Sequence, residues 1–184
     1  IAARIENGFN GYIVVGIDSA NSDIGRVEEM LPSDQYLNNV DDFNENLTSR
    51  IKPLEEFIIN DLKKEIDNKF KTLSDYNNTI IGGSSMGGLF AYYMGVKYSS
   101  VFKLAICFSP AFCLYEDSYL KKELLKLKSV SNKYYFLVGN IEYEQQFVSL
   151  TKYTYDYMLS KKYNVCYVHD LDGIHHESFW NKYI

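Results

Sequence analysis

Thr79-Ile80-Ile81-Gly82-Gly83-Ser84-Ser85-Met86-Gly87-Gly88-Leu89 is the stretch on which the fold turns. Thr79–Ile81 reads as a short strand, and Leu89, Phe90, Tyr93 and Met94 place an apolar stripe on a helix directly after it. Between them Gly83-Ser84-Ser85-Met86-Gly87 fits G-x-S-x-G, with Ser85 at its centre and in the strand–turn–helix setting that the motif requires. So tight a turn is expected to leave no room for a Cβ at either flanking glycine, while strain at the centre projects the serine hydroxyl. Ser84 cannot take the central place, because the residue two after it is Met86. The helix directs its first amides at the turn, which makes the Met86 N–H a candidate oxyanion donor. No Lys-Ser/Thr follows the glycines, so a P-loop is excluded, and the spacing is not that of a dinucleotide loop.

Outward from this turn, short apolar runs alternate with longer helical patterns. Tyr12–Asp18, Lys103–Phe108, Tyr134–Val138 and Asn164–His169 read as further strands. Pro53–Lys71, Asp117–Lys128, Gln145–Lys161 and His176–Tyr183 read as helices, and the polar stretch from Ser19 to Asn46 reads as loop. Thr154 interrupts the apolar stripe of the third of these helices. This alternation predicts an α/β fold, a mostly parallel sheet with helices on both faces, in one domain over residues 1–184. The 184 residues are enough to bury a core, and 46% hydrophobic with 23% charged residues is ordinary for a globular chain.

A net charge of −5 and basic doublets scattered at Lys63, Lys121 and Lys161 argue against a nucleic-acid partner. No apolar run reaches the length of a membrane span. Three cysteines without C-x-x-C spacing indicate neither a disulfide framework nor a zinc site, so the expectation is a cytoplasmic protein without a metal. The oligomeric state stays open, a homo-oligomer included.

A serine hydroxyl needs a base, and the chain has three histidines. His169 falls within a strand pattern. His175 and His176 lie beyond that strand's C-terminal end, on the rim where sites of open parallel sheets assemble, and either is placed to serve. An orienting carboxylate is expected between nucleophile and base in chain order. Glu142, just past the strand Tyr134–Val138, is the first candidate; Glu144, Asp117 and Asp172 compete.

These residues resemble the putative esterase (esterase D-like) family of α/β-hydrolases. The resemblance rests on Val15-Gly16-Ile17-Asp18 followed by Arg26, Glu29 and Pro32, and on Gly83 to Leu89. It rests also on Ser109-Pro110-Ala111-Phe112, on Gly139 with Glu142, and on Gly173 with His175, Glu177 and Trp180. It implies an α/β-hydrolase fold and a Ser85–His175–Glu142 triad acting on a small carboxylic ester or lactone, with no cofactor. The resemblance selects His175 over His176. Acyl transfer or thioester hydrolysis through the same acyl-enzyme, and a non-catalytic binding protein, are the competing readings. Members of the family carry further strands upstream and take a second oxyanion amide from a loop there. The chain begins at Ile1, so its domain is expected to be incomplete at the N-terminal side.

Arg26, Ser84 and Phe112 are the candidates for substrate contact. Arg26 and Glu29 can instead pair with each other and brace the polar loop, the reading favoured here. Phe112 and Tyr115 suggest an apolar or phenolic acyl pocket, bordered by the Ser19–Asn46 loop and Ser109–Tyr119. Trp180 is expected to anchor the closing helix rather than to meet substrate.

Overall fold

A computed structural model describes residues 11–34, 47–115, 131–142 and 145–184. Four strands form one sheet in chain order: β1 (Ile80–Ser84), β2 (Leu104–Phe108), β3 (Lys133–Ile141) and β4 (Asn164–Ile174). Every pairing among them is parallel. All four C-terminal ends therefore open on the same rim, which is where the chain turns out to Ser85, Ser109, Glu142 and His175.

The helices are α1 (Asp23–Met30), α2 (Ile51–Glu56), α3 (Lys63–Lys69), α4 (Met86–Lys97), α5 (Gln145–Ser160) and α6 (Glu177–Trp180). A π-helical stretch, Phe57–Leu62, joins α2 to α3, so the expected helix runs on without a break from Ile51. Pro53 sits in its first turn, where a missing N–H leaves no bond unmade. The helix expected at Asp117–Lys128 lies outside the described residues.

Helix α4 is apolar nearly all round, with Leu89, Phe90, Tyr92, Met94 and Val96 buried, because it lies between the sheet and the helices outside it. Its outer side is pinned by the buried carboxylate of Glu55, which accepts from Tyr93 Oη (2.6 Å), Lys97 Nζ (2.6 Å) and Tyr98 Oη (2.9 Å). Burial, reinforced by this carboxylate, pushes the Tyr98 phenol up to about 12, so it stays a donor. On the sheet's inner side Tyr92, Phe112, Tyr134 and Phe136 form an aromatic core. Thr154, the polar break in the stripe of α5, is buried with it. On the opposite face a smaller cluster of Phe108, Leu137, Phe179 and Trp180 anchors α6.

Two sequence expectations fail. Tyr12–Asp18 is not a strand: it joins no ladder among the described residues, and Tyr12, Ile13, Val14, Val15 and Ile17 are exposed. A strand exists only where a neighbour takes its N–H and C=O groups, and this run has none there. Within the expected loop after it, Asp23–Met30 is helical. Ser22 caps it by accepting from the Gly25 N–H (3.1 Å), and Val27 and Met30 carry it into the core. Among the described residues no helix is long and apolar enough to cross a membrane.

Candidate active site

Ser85 stands between β1 and α4 at φ 56°, ψ −120°, a backbone conformation that only a strongly constrained non-glycine residue keeps. The constraint is visible. Its N–H donates to the Phe108 carbonyl (2.9 Å), and its own carbonyl accepts from Leu89 N (3.1 Å) and Ala111 N (3.1 Å). A Cβ on Gly83 would lie 2.4 Å from the Gly87 carbonyl oxygen, so that position must be glycine. Gly87 differs from expectation: a Cβ there would meet nothing within 4 Å. The crowding is one-sided, because it is the backbone of Gly87, not its missing side chain, that Gly83 must clear.

His175 follows β4, and its Nε2 lies 3.0 Å from Ser85 Oγ. Its ring sits between Phe147 (centroids 4.8 Å) and Trp180 (5.1 Å), both edge-on. Its Nδ1 is hydrogen-bonded to Glu142 Oε2. Glu142 follows β3 with a side chain only 1% exposed. Its Oε1 accepts from Gly139 N (2.8 Å) and Ser109 Oγ (2.6 Å). Burial pushes this carboxyl up, but the bonds from His175, Ser109 and Gly139 together outweigh burial and hold it below its ordinary value of 4.5. It is therefore an anion at neutral pH.

Local irregularity brings the acid and the base together. β3 and β4 keep register from Lys133↔Asn164 to Gly139↔Asp170, then resume at Ile141↔Ile174. β4 thus spends Leu171–Gly173 on an excursion before rejoining its neighbour. At its root a Cβ on Gly139 would lie 2.5 Å from the Gly173 backbone, so both chains approach without side chains.

The structure separates the two adjacent histidines. His176 caps α6: its Nδ1 accepts from the Ser178 N–H (3.1 Å), and its side chain is exposed beside Glu177. His169 lies on β4 opposite Val138, short of the rim. Of the competing carboxylates, Asp172 is exposed on the excursion with its N–H on Asp170; Glu144 and Asp117 fall outside the described residues. Met86 is the first residue of α4, directly after Ser85, so its N–H has no acceptor within the helix.

The substrate-contact candidates fare less well. Phe112 is fully buried in the core, edge-on to Tyr92 and Phe136, and so forms no pocket wall. Tyr115 is fully buried too, its hydroxyl donating to the Ser33 carbonyl (2.7 Å). Ser84 ends β1 in register with Phe108. Arg26 and Glu29 do not pair: Glu29 accepts from Ala20 N (2.7 Å), and it is Glu28 that braces the segment through Arg50 (3.1 Å) and Thr48 N (3.0 Å). A carboxylate one position along faces the core side of α1, where the chain after it returns.

Sequence pattern alone assigns Ser109 and Trp180 no part in the site. The signal was a polar residue closing an apolar strand at the same rim, and a lone tryptophan five residues past the histidine. Trp180 does anchor α6, as expected, but its indole N–H reaches Ser109 Oγ (3.0 Å) and its ring touches His175.

The family model described as putative esterase matches residues 5–183. No curated protein matches the sequence. Among solved structures, the BES protein from Bacillus cereus is 19% identical with a TM-score of 0.69, over 88% of this chain and 62% of that one. The enterobactin esterase FES from Shigella flexneri is 17% identical with a TM-score of 0.61, over 70% and 35%. FphF, a fluorophosphonate-binding serine hydrolase of Staphylococcus aureus, is 15% identical with a TM-score of 0.57, over 70% and 59%. The chain thus matches between 35% and 62% of the length of these three proteins. At such identities the likeness is one of fold, that of the α/β-hydrolases.

Proposed function

The chain belongs to the putative esterase family, and from that premise we propose that it is a serine hydrolase cleaving a small carboxylic ester or lactone. The observation that carries the reading is the unbroken hydrogen-bonded line from Glu142 through His175 to Ser85. Esterase names among the matched structures support an ester as the substrate class.

In this reading Ser85 Oγ adds to the substrate carbonyl carbon while His175 Nε2 takes the hydroxyl proton. The carbonyl electron pair moves onto oxygen, which the Met86 N–H stabilises. Glu142 holds the imidazole by Nδ1 and balances its charge. Collapse of the intermediate expels the alcohol, which receives the proton from Nε2. Water then attacks the acyl-enzyme with the same base, releasing the acid and restoring Ser85. No cofactor enters any step.

The test is intact-mass detection of a fluorophosphonate adduct on the native chain and on Ser85→Ala, alongside hydrolysis of an aryl acetate. One adduct, lost in the variant together with turnover, is the expected result. A folded chain that gives no adduct, or one that keeps its adduct without Ser85, overturns the proposal.

A further inference from the structure

Ser109 is fully buried, sits at the end of β2 and holds φ 41°, in the left-handed region where glycine rests without strain. Its N–H donates to the Leu137 carbonyl (2.6 Å), so its backbone belongs to the β2–β3 junction whatever the side chain does. The hydroxyl is what a glycine could not supply. It lies 2.6 Å from Glu142 Oε1 and 3.0 Å from Trp180 Nε1. An indole N–H can only donate, and an ionised carboxylate can only accept. Both bonds therefore have a fixed direction: Trp180 donates to Ser109, and Ser109 commits its single proton to Glu142.

The consequence passes along the line. Oε1 already takes two donors, Ser109 O–H and Gly139 N–H, which leaves Oε2 for His175 Nδ1. With Nδ1 as the donor, Nε2 carries the lone pair that faces Ser85 Oγ at 3.0 Å. A glutamate has one more rotatable bond than an aspartate, and without Ser109 only the Gly139 N–H would hold Oε1, leaving the carboxylate to be oriented by that one bond and by the imidazole it is meant to orient.

We propose that Ser109, held by Trp180, is a positioning residue that orients the Glu142 carboxylate and through it fixes the imidazole tautomer facing Ser85. The inference rests on the serine-hydrolase reading. The alternative role for the same contacts is to pin α6 to the sheet, and a double-mutant cycle separates the two.

The test uses Ser109→Gly, which suits φ 41° and so keeps the backbone, in the native chain and in Glu142→Ala. The readouts are kcat and KM for p-nitrophenyl acetate, the fluorophosphonate labelling rate, and thermal unfolding. Ser109→Gly is expected to lower kcat and the labelling rate about 10- to 100-fold with KM little changed, the scale of a misplaced catalytic group. In Glu142→Ala the same change should cost less than about twofold, because the group it acts through is gone. Trp180→Phe, which keeps an aromatic ring but removes the N–H, should show a smaller loss that does not add to that of Ser109→Gly. An equal cost in both backgrounds, or none in the native chain, overturns the proposal while leaving the serine-hydrolase reading intact. Turnover that survives Ser85→Ala overturns that reading, and this inference with it.

Discussion

The runs Tyr12–Asp18 and Tyr134–Gly139 are close in composition, each an apolar stretch running into a glycine with an acid soon after. Yet Val14 is 72% exposed, whereas Leu137 and Val138 are fully buried. The second run has β2 on one side and β4 on the other, and its C-terminal end delivers Glu142 to the rim. The first joins no ladder among the described residues. An apolar run states only that a segment tolerates burial on both faces. Whether it is a strand depends on neighbours that its own residues do not specify. On the rim every group answers to several others, while the first run is exposed and joins no ladder among the described residues, and that contrast is open to measurement.

The largest effect should come from coupling at the rim. Ser85→Ala and His175→Ala are each expected to lower turnover by about 10⁴- to 10⁶-fold, and the double variant should be no worse than either alone, as for groups that act as a unit. Steady-state hydrolysis of an aryl ester checks this. Losses that multiply would mean the two residues work independently, and the contrast between the regions would collapse.

A second, intermediate effect concerns acid stability. The Glu142 carboxyl titrates below 4.5 in the folded chain, so its bonds stabilise the fold fully above that pH. That contribution is lost as pH falls through the lowered folded value. Glu142→Gln should therefore be less stable than the native chain near neutrality, and the gap should narrow as pH drops below about 4.5. Urea unfolding at a series of pH values measures it; a gap that stays constant would show that the carboxylate charge contributes nothing.

The smallest effect belongs to the first run. Val14→Asp should change unfolding stability by less than about 0.5 kcal/mol, as expected for a site 72% exposed. A loss of about 2 kcal/mol or more, the scale of a buried valine replaced by a charge, would show that Tyr12–Asp18 is packed in solution and would erase the comparison.

What could be read from the sequence follows the same division. The strand, glycine turn and helix around Ser85 are local, so the residues themselves settle them, and the chain's order of acid and base narrows the rest. Asn164–His169 was recognisable as a strand, but its continuation to Ile174 depends on rejoining β3 past the excursion at Leu171–Gly173. Helix α1 was hidden because Ser22 and Asp23, which start it, also enrich loops; only the spacing of Val27 and Met30 betrays it. Glu142 was legible by position on the rim, whereas Ser109 was not, because what matters there is which neighbours its hydroxyl meets.

Trp180 is the only tryptophan in the chain. With its N–H on Ser109 Oγ and its ring 5.1 Å from that of His175, it is a fluorophore already seated inside the site. Excitation at wavelengths that the 17 tyrosines do not absorb isolates it without any label. Its emission then registers the charge on the adjoining imidazole and the state of its own N–H bond. In the proposed reaction, acylation of Ser85 and release of product should each change that emission, so the hydrolase reading can be followed in real time by light alone.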